Sequence, residues 1–282
     1  MPELPEVETV RRMLEGNVVG RTVRAIRLSG QRLRSPISPV AVRRLRHRRI
    51  DSIGRHGKYL FLHFDGGHTL LSHLGMSGRW LFSPSPPDAP LPHVHARFEF
   101  EDGSSLRYQD PRRFGLLRVV SSDRLGHEPE LRSLGPDPIA NGFAAEDLAA
   151  RARGRRVAVK SFLLDQRQLA GIGNIYASEI LHRARVHPSR AAGRIVAREW
   201  NAIARSTRKV LLEAIARSGT TFSMYRTLWN EPGQYGEQLR VYDRGGQPCR
   251  DCGTAIRRVV LGQRSTFFCP SCQPRVTTKR KK

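Results

Sequence analysis

The segment Arg97-Phe-Glu-Phe-Glu101 alternates apolar and charged side chains, breaks at Asp102-Gly103, and resumes through Leu106-Arg-Tyr108. A period of two puts one face of a strand on a core and the other in water, and Asp-Gly supplies a tight reversal. These residues predict an antiparallel hairpin. Upstream, Lys58-Tyr-Leu-Phe-Leu-His-Phe-Asp65 is rich in strand formers, closes on Asp65-Gly66-Gly67, and leads into a second apolar run over 68–74. Downstream, 114–120 reads as a further strand. Short strands with turns between them point to a sandwich or barrel. Residues 83–92 carry five prolines in ten positions and read as an irregular surface loop. Residues 5–14 hold good helix formers and no internal breaker, so a helix precedes the sheet.

The pattern changes after 121–142, a stretch rich in Gly, Pro, Asp and Ser that marks a boundary. Beyond it the apolar period is helical, with short helices expected over 146–153 and 157–165. Asn174-Ile-Tyr-Ala-Ser-Glu-Ile-Leu181 begins on an N-cap residue type. Trp200, Ile203, Ala204, Thr207, Leu211, Ala214 and Ile215 form one face of a long helix that stops near Gly219. All four cysteines fall near the end, as Cys249-x2-Cys252 and Cys269-x2-Cys272 with sixteen residues between the pairs. That spacing lets both pairs bend onto one zinc ion. Four thiolates fill a tetrahedral shell, so the metal is expected to hold shape and carry no chemistry. The organisation expected is α+β: an antiparallel β-sandwich with a helix over 1–130, a helical domain over 131–240, a zinc-bound β-hairpin over 241–274 and a basic tail over 275–282.

Charge narrows the partner. The 282 residues contain 49 Lys+Arg against 25 Asp+Glu, a formal net charge of +24. Solubility requires far less, and such an excess points to a polyanion, namely nucleic acid. The cations cluster over 43–58, over 151–167 and from Arg240 onward. No run of apolar residues is long enough to span a membrane. The start, Met1-Pro-Glu-Leu-Pro-Glu6, is acidic and proline-broken, unlike a secretory or transit segment. A soluble, cytoplasmic chain is expected, associated with the nucleoid through DNA.

Within that basic chain, the first ten residues hold three glutamates and no Lys or Arg. Removal of Met1 before a small residue exposes the secondary amine of Pro2. An α-amino group titrates near pH 8, so part of it is free base at neutral pH. A secondary amine forms an iminium with a sugar aldehyde, an electron sink that makes β-elimination of a 3′ phosphate feasible. Glu3 and Glu6 are positioned to move protons. Equally, Pro2 is a permissive start and Glu3 an ordinary acid at a helix start. Gly171-Ile-Gly-Asn174 before a helix is suited to approach a phosphate, or Asn174 is simply a cap. His73-Leu-Gly-Met-Ser-Gly78 and Asp110-Pro-Arg-Arg-Phe-Gly115 offer Met76, Arg112 and Phe114 as wedges that fill a base stack. Met76 and Phe114 also suit a core. His93 reads as a phosphate donor, because no third ligand accompanies His93 and His95.

Together, Pro2-Glu-Leu-Pro-Glu-Val-Glu-Thr9, Gly57-Lys-Tyr59, the 73–78 and 110–115 segments, Gly171-Ile-Gly-Asn-Ile-Tyr176, Gly219-Thr-Thr221 and the cysteine hairpin with Gln263-Arg264 resemble the bacterial formamidopyrimidine-DNA glycosylase family, nearly end to end. The resemblance implies a β-sandwich with a helix, then a helical domain with a helix–two-turn–helix element and a zinc finger. It implies excision of oxidised purines, 8-oxoguanine and formamidopyrimidines, from double-stranded DNA, followed by β,δ-elimination. By motif, Pro2 looks like the nucleophile, Glu3 the general acid, Lys58 the proton donor for β-elimination and Arg264 that for δ-elimination. DNA contacts fall to His93, Arg112, Arg153 or a neighbouring Arg, Lys160 and Asn174, with Met76, Arg112 and Phe114 filling the vacated stack. The resemblance also implies one structural zinc on Cys249, Cys252, Cys269 and Cys272, a monomer, and no membrane. Residues 218–239 correspond to a loop that closes over the flipped base. Ser218 stands where the family commonly has glycine, and 222–230 carries no motif assignable by residue. Two rival readings are an endonuclease VIII-type glycosylase for oxidised pyrimidines and a non-catalytic zinc-containing DNA-binding protein.

Overall fold

A computed structural model of the chain describes residues 1–85, 91–141, 143–221 and 225–275. They group into two compact units, Met1–Ser133 with Ala214–Gly236, and Leu134–Glu213 with Glu237–Lys282. This grouping cuts across the linear division expected from composition. Residues 214–236 fold with the N-terminal unit, and the cysteine hairpin folds with the helices. Three expectations fall partly outside the described residues: the proline loop at 86–90, the 218–239 loop at 222–224, and the tail at 276–282.

The first unit is built on helix α1 (Leu4–Val18) and two antiparallel sheets of four strands. One sheet has the order β1-β6-β7-β5, with β1 Val23–Leu28, β5 Arg79–Ser83, β6 Val94–Phe100 and β7 Ser105–Gln109. The other has the order β2-β3-β4-β8, with β2 Ile50–His56, β3 Tyr59–Phe64, β4 His68–His73 and β8 Leu116–Ser121. Short helices α2 (Pro39–Arg43) and α3 (Pro129–Arg132) complete it. The predicted hairpin forms, with Phe98 opposite Leu106. Val7, Val10 and Leu14, spaced for one helical face, pack with Trp80, Phe98, Phe100 and Tyr108 from one sheet and Leu60, Leu62 and Leu70 from the other. Strands β1, β2 and β5 are additional to the strands read from the sequence. β2 runs through the basic cluster with Asp51 and Ser52 exposed, so its apolar period is weak. The strand expected to begin at Phe114 begins at Leu116, leaving Phe114 on an exposed turn.

The second unit carries α4 (Ala145–Ala152), α5 (Val159–Leu164), α6 (Asn174–Arg183), most of α7 (Ala197–Ala216), and a hairpin of β9 (Arg257–Leu261) and β10 (Arg264–Phe268). Phe162 meets Trp200 edge to face at 5.5 Å within the helical core. The α6 boundary differs from expectation. Gly173 has the extended N-cap conformation, and Asn174 is the first helical residue. Its side-chain amide is therefore directed elsewhere, as described below. Ser218 (φ 58°) and Gly219 (φ 77°) follow α7 in the left-handed region, and the Gly219 N–H returns to Ala214 O at 2.8 Å. That reversal ends the helix.

A buried ion cluster ties α1 to β2. The Glu8 carboxylate accepts from Arg12 at 2.8 Å, Arg55 at 2.8 Å and Arg11 at 3.1 Å. Burial pushes its pKa up, but these hydrogen bonds outweigh burial and hold the carboxyl below the ordinary range. A depressed folded-state pKa contributes stability above the unfolded pKa, lost as pH falls through the folded value. Glu8→Gln leaves the buried Arg55 guanidinium facing a neutral amide, and is expected to cost about 3 kcal/mol in urea unfolding at pH 7. The difference from wild type should shrink as the pH is lowered through the Glu8 titration.

Candidate functional site

In the first unit the amino terminus enters α1 through a buried turn. Pro2, Glu3 and Glu6 are all buried. The Glu3 N–H donates to Glu6 Oε2 at 2.8 Å, and Glu6 Oε1 accepts from the Thr220 N–H at 2.7 Å. Glu6, expected from its place beside the amine to move protons, thereby clamps two backbone segments. A Cβ on Gly219 would lie 2.7 Å from Glu6 Oε1, so glycine is required there both for space and for its positive φ. With Met1 in place, burial lowers the pKa of the terminal amine most strongly, Glu3 and Glu6 oppose the shift, and Lys58 and Arg112 add to it. The amine is thus biased toward free base while surrounded by two acids and two cations. Lys58 sits in the two-residue turn between β2 and β3, where Gly57 takes φ 56°, and is only 6% exposed.

The 73–78 and 110–115 segments meet in the same unit. Asp110 holds both: its carboxylate accepts from the Ser77 hydroxyl and, at 2.8 Å, from the Gly115 N–H. Ser77 Oγ in turn accepts from the Arg112 N–H at 3.1 Å. The Tyr108 hydroxyl donates to His73 O, and a Cβ on Gly78 or Gly115 would overlap that hydroxyl. The imidazole of His73 accepts from the Gly75 N–H at 2.9 Å. Burial, with Arg34 and Lys58 nearby, pushes its pKa down to about 3, so it stays neutral. This frame leaves Met76, Arg112 and Phe114 exposed, with the Arg112 guanidinium 4.9 Å from the Phe114 ring centre. An exposed apolar pair with a stacked cation is unlike a core arrangement. His93 is exposed beside them with φ 61°, and its carbonyl accepts from the Asp110 N–H. His95 is buried between Ser29 Oγ and Asp110 O, a packing role.

In the second unit the β9–β10 hairpin turns through Gly262 (φ 53°) and Gln263 (φ 61°), and Arg264 leaves the turn exposed. Positive φ at both central residues is the tight hairpin reversal that suits the twist of two strands. Lys160, expected to contact a phosphate, is 1% exposed and donates to Ser265 O at 2.9 Å and Thr266 Oγ1 at 2.8 Å. The Asn174 amide also donates to Ser265 O at 2.9 Å, while its buried Oδ1 has no hydrogen-bond partner among the described residues. Lys160 and Asn174 therefore grip the residue after Arg264. Arg153 caps α4 and is exposed, as are Arg151, Arg155 and Arg156.

The four cysteines are free thiols whose sulfurs lie within 4.8 Å of one another. Separations of 3.5 Å for Cys252–Cys269, 3.5 Å for Cys252–Cys272 and 3.9 Å for Cys249–Cys272 are far beyond a disulfide. They match the edge of a tetrahedron built on Zn–S bonds of about 2.3 Å. The donor set fits one structural zinc. Two residues that support it escaped the sequence reading. His182 Nε2 lies 3.6 Å from Cys249 Sγ. Glu179, buried on α6, accepts from the N–H groups of Arg240, Val241 and Tyr242 at 2.8–3.0 Å. Burial raises the Glu179 pKa, against those three hydrogen bonds. Neither residue had a signal, since each lies some sixty positions from what it holds.

A β-sandwich that buries Pro2 at the start of its helix, a helical unit and a four-cysteine hairpin define a multi-unit protein of the zinc-finger class. Residues 1–117 match the formamidopyrimidine-DNA glycosylase N-terminal domain, 134–226 its H2TH domain, and 246–275 the zinc finger found in FPG and IleRS. The formamidopyrimidine-DNA glycosylase of Methylococcus capsulatus is 45% identical over 273 residues, covering 97% of this chain and all of that one. A Lactococcus lactis FPG variant in complex with Fapy-dG-containing DNA superposes with a TM-score of 0.89 at 32% identity, covering 97% of this chain and 100% of that chain. The wild-type Lactococcus lactis FPG in complex with oxidized-pyrimidine-containing DNA gives 0.88 at 31% identity, with the same coverage. The chain belongs to the formamidopyrimidine-DNA glycosylase family.

Two measurements probe this geometry. Gly219→Ala is expected to break the Thr220–Glu6 hydrogen bond and to cost about 2 kcal/mol in denaturant unfolding; wild-type stability would show that the turn accommodates a side chain. Purified protein should contain one zinc per chain by atomic emission. Stripping it under reducing conditions should weaken duplex DNA binding at least about tenfold, with recovery on adding zinc back.

Proposed function

We propose that this chain is a bifunctional DNA glycosylase and abasic-site lyase that removes oxidised purines from double-stranded DNA and then cuts the strand. The observation that carries the reading is Pro2, buried at the start of α1 where Glu3, Glu6, Lys58 and Arg112 act on the chain terminus, in a chain of this family. The mature amine of Pro2 attacks C1′ of the damaged nucleotide as the base leaves with a proton supplied through Glu3; protonation of O4′, again through Glu3, then breaks the C1′–O4′ bond and opens the sugar to the iminium. The iminium that results acidifies C2′. Loss of that proton breaks the C3′–O bond, and a second elimination breaks the C5′–O bond. Lys58, buried in the β2–β3 turn and close enough to act on the terminal amine, suits proton transfer in the first elimination. Arg264, exposed at the hairpin tip, suits the second. Hydrolysis of the iminium restores the amine.

Met76, Arg112 and Phe114 fill the space left by the extruded nucleotide, a role supported by their exposure on a rigid frame. His93, Arg153 and Asn174 contact phosphates. Lys160 acts through the hairpin, by gripping Ser265 and Thr266. The cysteines hold the zinc that shapes that hairpin. Among the described residues no helix is long and apolar enough to cross a membrane. We place the enzyme in the cytoplasm as a monomer on double-stranded DNA, with residues 1–130 carrying the chemistry and 131–274 the DNA grip.

Borohydride reduction with a duplex containing 8-oxoguanine opposite cytosine should leave a covalent adduct on Pro2, mapped by mass spectrometry. The yield should fall as the pH drops below the amine's pKa, because protonation removes the nucleophile. Retained Met1 or absence of adduct on any lesion would favour a non-catalytic DNA-binding protein. A relative crystallised with an oxidised pyrimidine makes thymine glycol the second substrate of the panel; faster trapping on it would favour the endonuclease VIII type.

A further inference from the structure

The β1-β6-β7-β5 sheet has one face away from the core, and its charges do not balance. Register sets Leu81, Arg107, Arg97 and Arg27 side by side across four strands. Glu99 on β6 accepts ion pairs from Arg24, Arg27 and Arg97. Arg107 and Arg79, nearer the β5 edge, have only neutral acceptors. Arg107 donates to Ser83 Oγ at 2.8 Å, and Arg79 to Gln109 Oε1 at 2.8 Å and Asn230 Oδ1 at 2.9 Å. Arg107 is only 9% exposed, and its buried Nε has no hydrogen-bond partner among the described residues. Among the described residues neither guanidinium meets a carboxylate.

Both line a cavity of about 260 Å³ with Leu81, Phe82, Leu228 and Trp229. Trp229 packs edge to face on Phe82 at 5.6 Å yet remains 44% exposed. A buried cation without a counter-ion is costly, and burial with a neighbouring guanidinium lowers the pKa of each. The cavity is small for an organic ligand, leaving room for one flat ring and one anionic group. Two guanidiniums without a carboxylate among the described residues match a phosphate monoester, which carries close to two negative charges, better than a carboxylate. The half-exposed indole offers a stacking surface for a base.

We infer that this cavity on the β5–β7 edge is a second nucleotide site, which takes a terminal phosphomonoester between Arg79 and Arg107 and its base against Trp229. The ligand is either a free nucleoside monophosphate or the terminal nucleotide of a DNA strand. No residue of the proposed catalytic set takes part.

The test uses tryptophan emission, because Trp80 and Trp200 are buried and Trp229 alone of the three is half-exposed. Titration with dGMP should quench emission saturably, with Kd of about 1 mM or below. Inorganic phosphate should bind about tenfold more weakly, since it lacks the ring. A 5′-phosphorylated oligonucleotide that binds more tightly than both dGMP and its unphosphorylated twin identifies a strand end as the source; dGMP binding at least as tightly identifies the free nucleotide. Arg79→Gln and Arg107→Gln should each weaken dGMP binding about tenfold while excision of 8-oxoguanine from duplex DNA stays at wild-type rate. Arg79, the less buried, serves if Arg107→Gln fails to fold. No saturable quenching, equal binding of phosphate and dGMP, or unchanged binding in a folded Arg79→Gln protein overturns the site.

Discussion

The Glu6 carboxylate accepts one hydrogen bond from the backbone of Glu3 and one from the backbone of Thr220, residues more than two hundred positions apart. Much of the first unit follows from that pair of bonds. The first fixes how the chain enters α1, and with it the position of the terminal amine. The second draws residues 214–236 back onto the N-terminal sandwich, where Tyr225 and Leu228 enter its core and Leu228 O accepts from the Phe82 N–H. A buried carboxylate is tolerated only when its lone pairs are met. Here the partners are main-chain amides, so the clamp depends on backbone geometry and on the bare Cα of Gly219.

The second unit uses the same device twice. Glu179 gathers three successive amides at the entry to the cysteine hairpin, and Lys160 with Asn174 holds the strand after Arg264. The Lys160 ammonium, in a cluster that looks like a ligand for DNA, is spent on holding backbone, whereas Met76, Arg112, Phe114 and Arg264 stand exposed on turns. Turns present side chains to a partner, while the frame behind them resists movement.

Motifs with local chemistry were legible in advance. The Cys-x2-Cys pairs, the Asp102-Gly103 reversal, the periodicity of α7 and the acidic first turn each depend on near neighbours, and each appears where expected. Strands β1, β2 and β5 were missed because their faces mix arginine with apolar residues and the period is blurred. Lys160 was read as a phosphate ligand because it stands in a basic cluster, yet its ammonium is satisfied by residues a hundred positions later. Glu6 was read as a proton carrier because it neighbours an amine, and both its oxygens are occupied by amides.

The sequence by itself determined the β6–β7 hairpin, the long helix α7, the zinc ligand set and the family, because these rest on periodicity, spacing and ordered motifs. Tertiary structure alone decided which charged groups face outward and which are consumed inside. It also decided that residues 214–236 belong with the first unit and that Arg79 and Arg107 share a cavity with no carboxylate partner among the described residues. Such outcomes turn on hydrogen bonds between distant segments, where burial makes an unmet polar group costly and composition carries no trace of the partner.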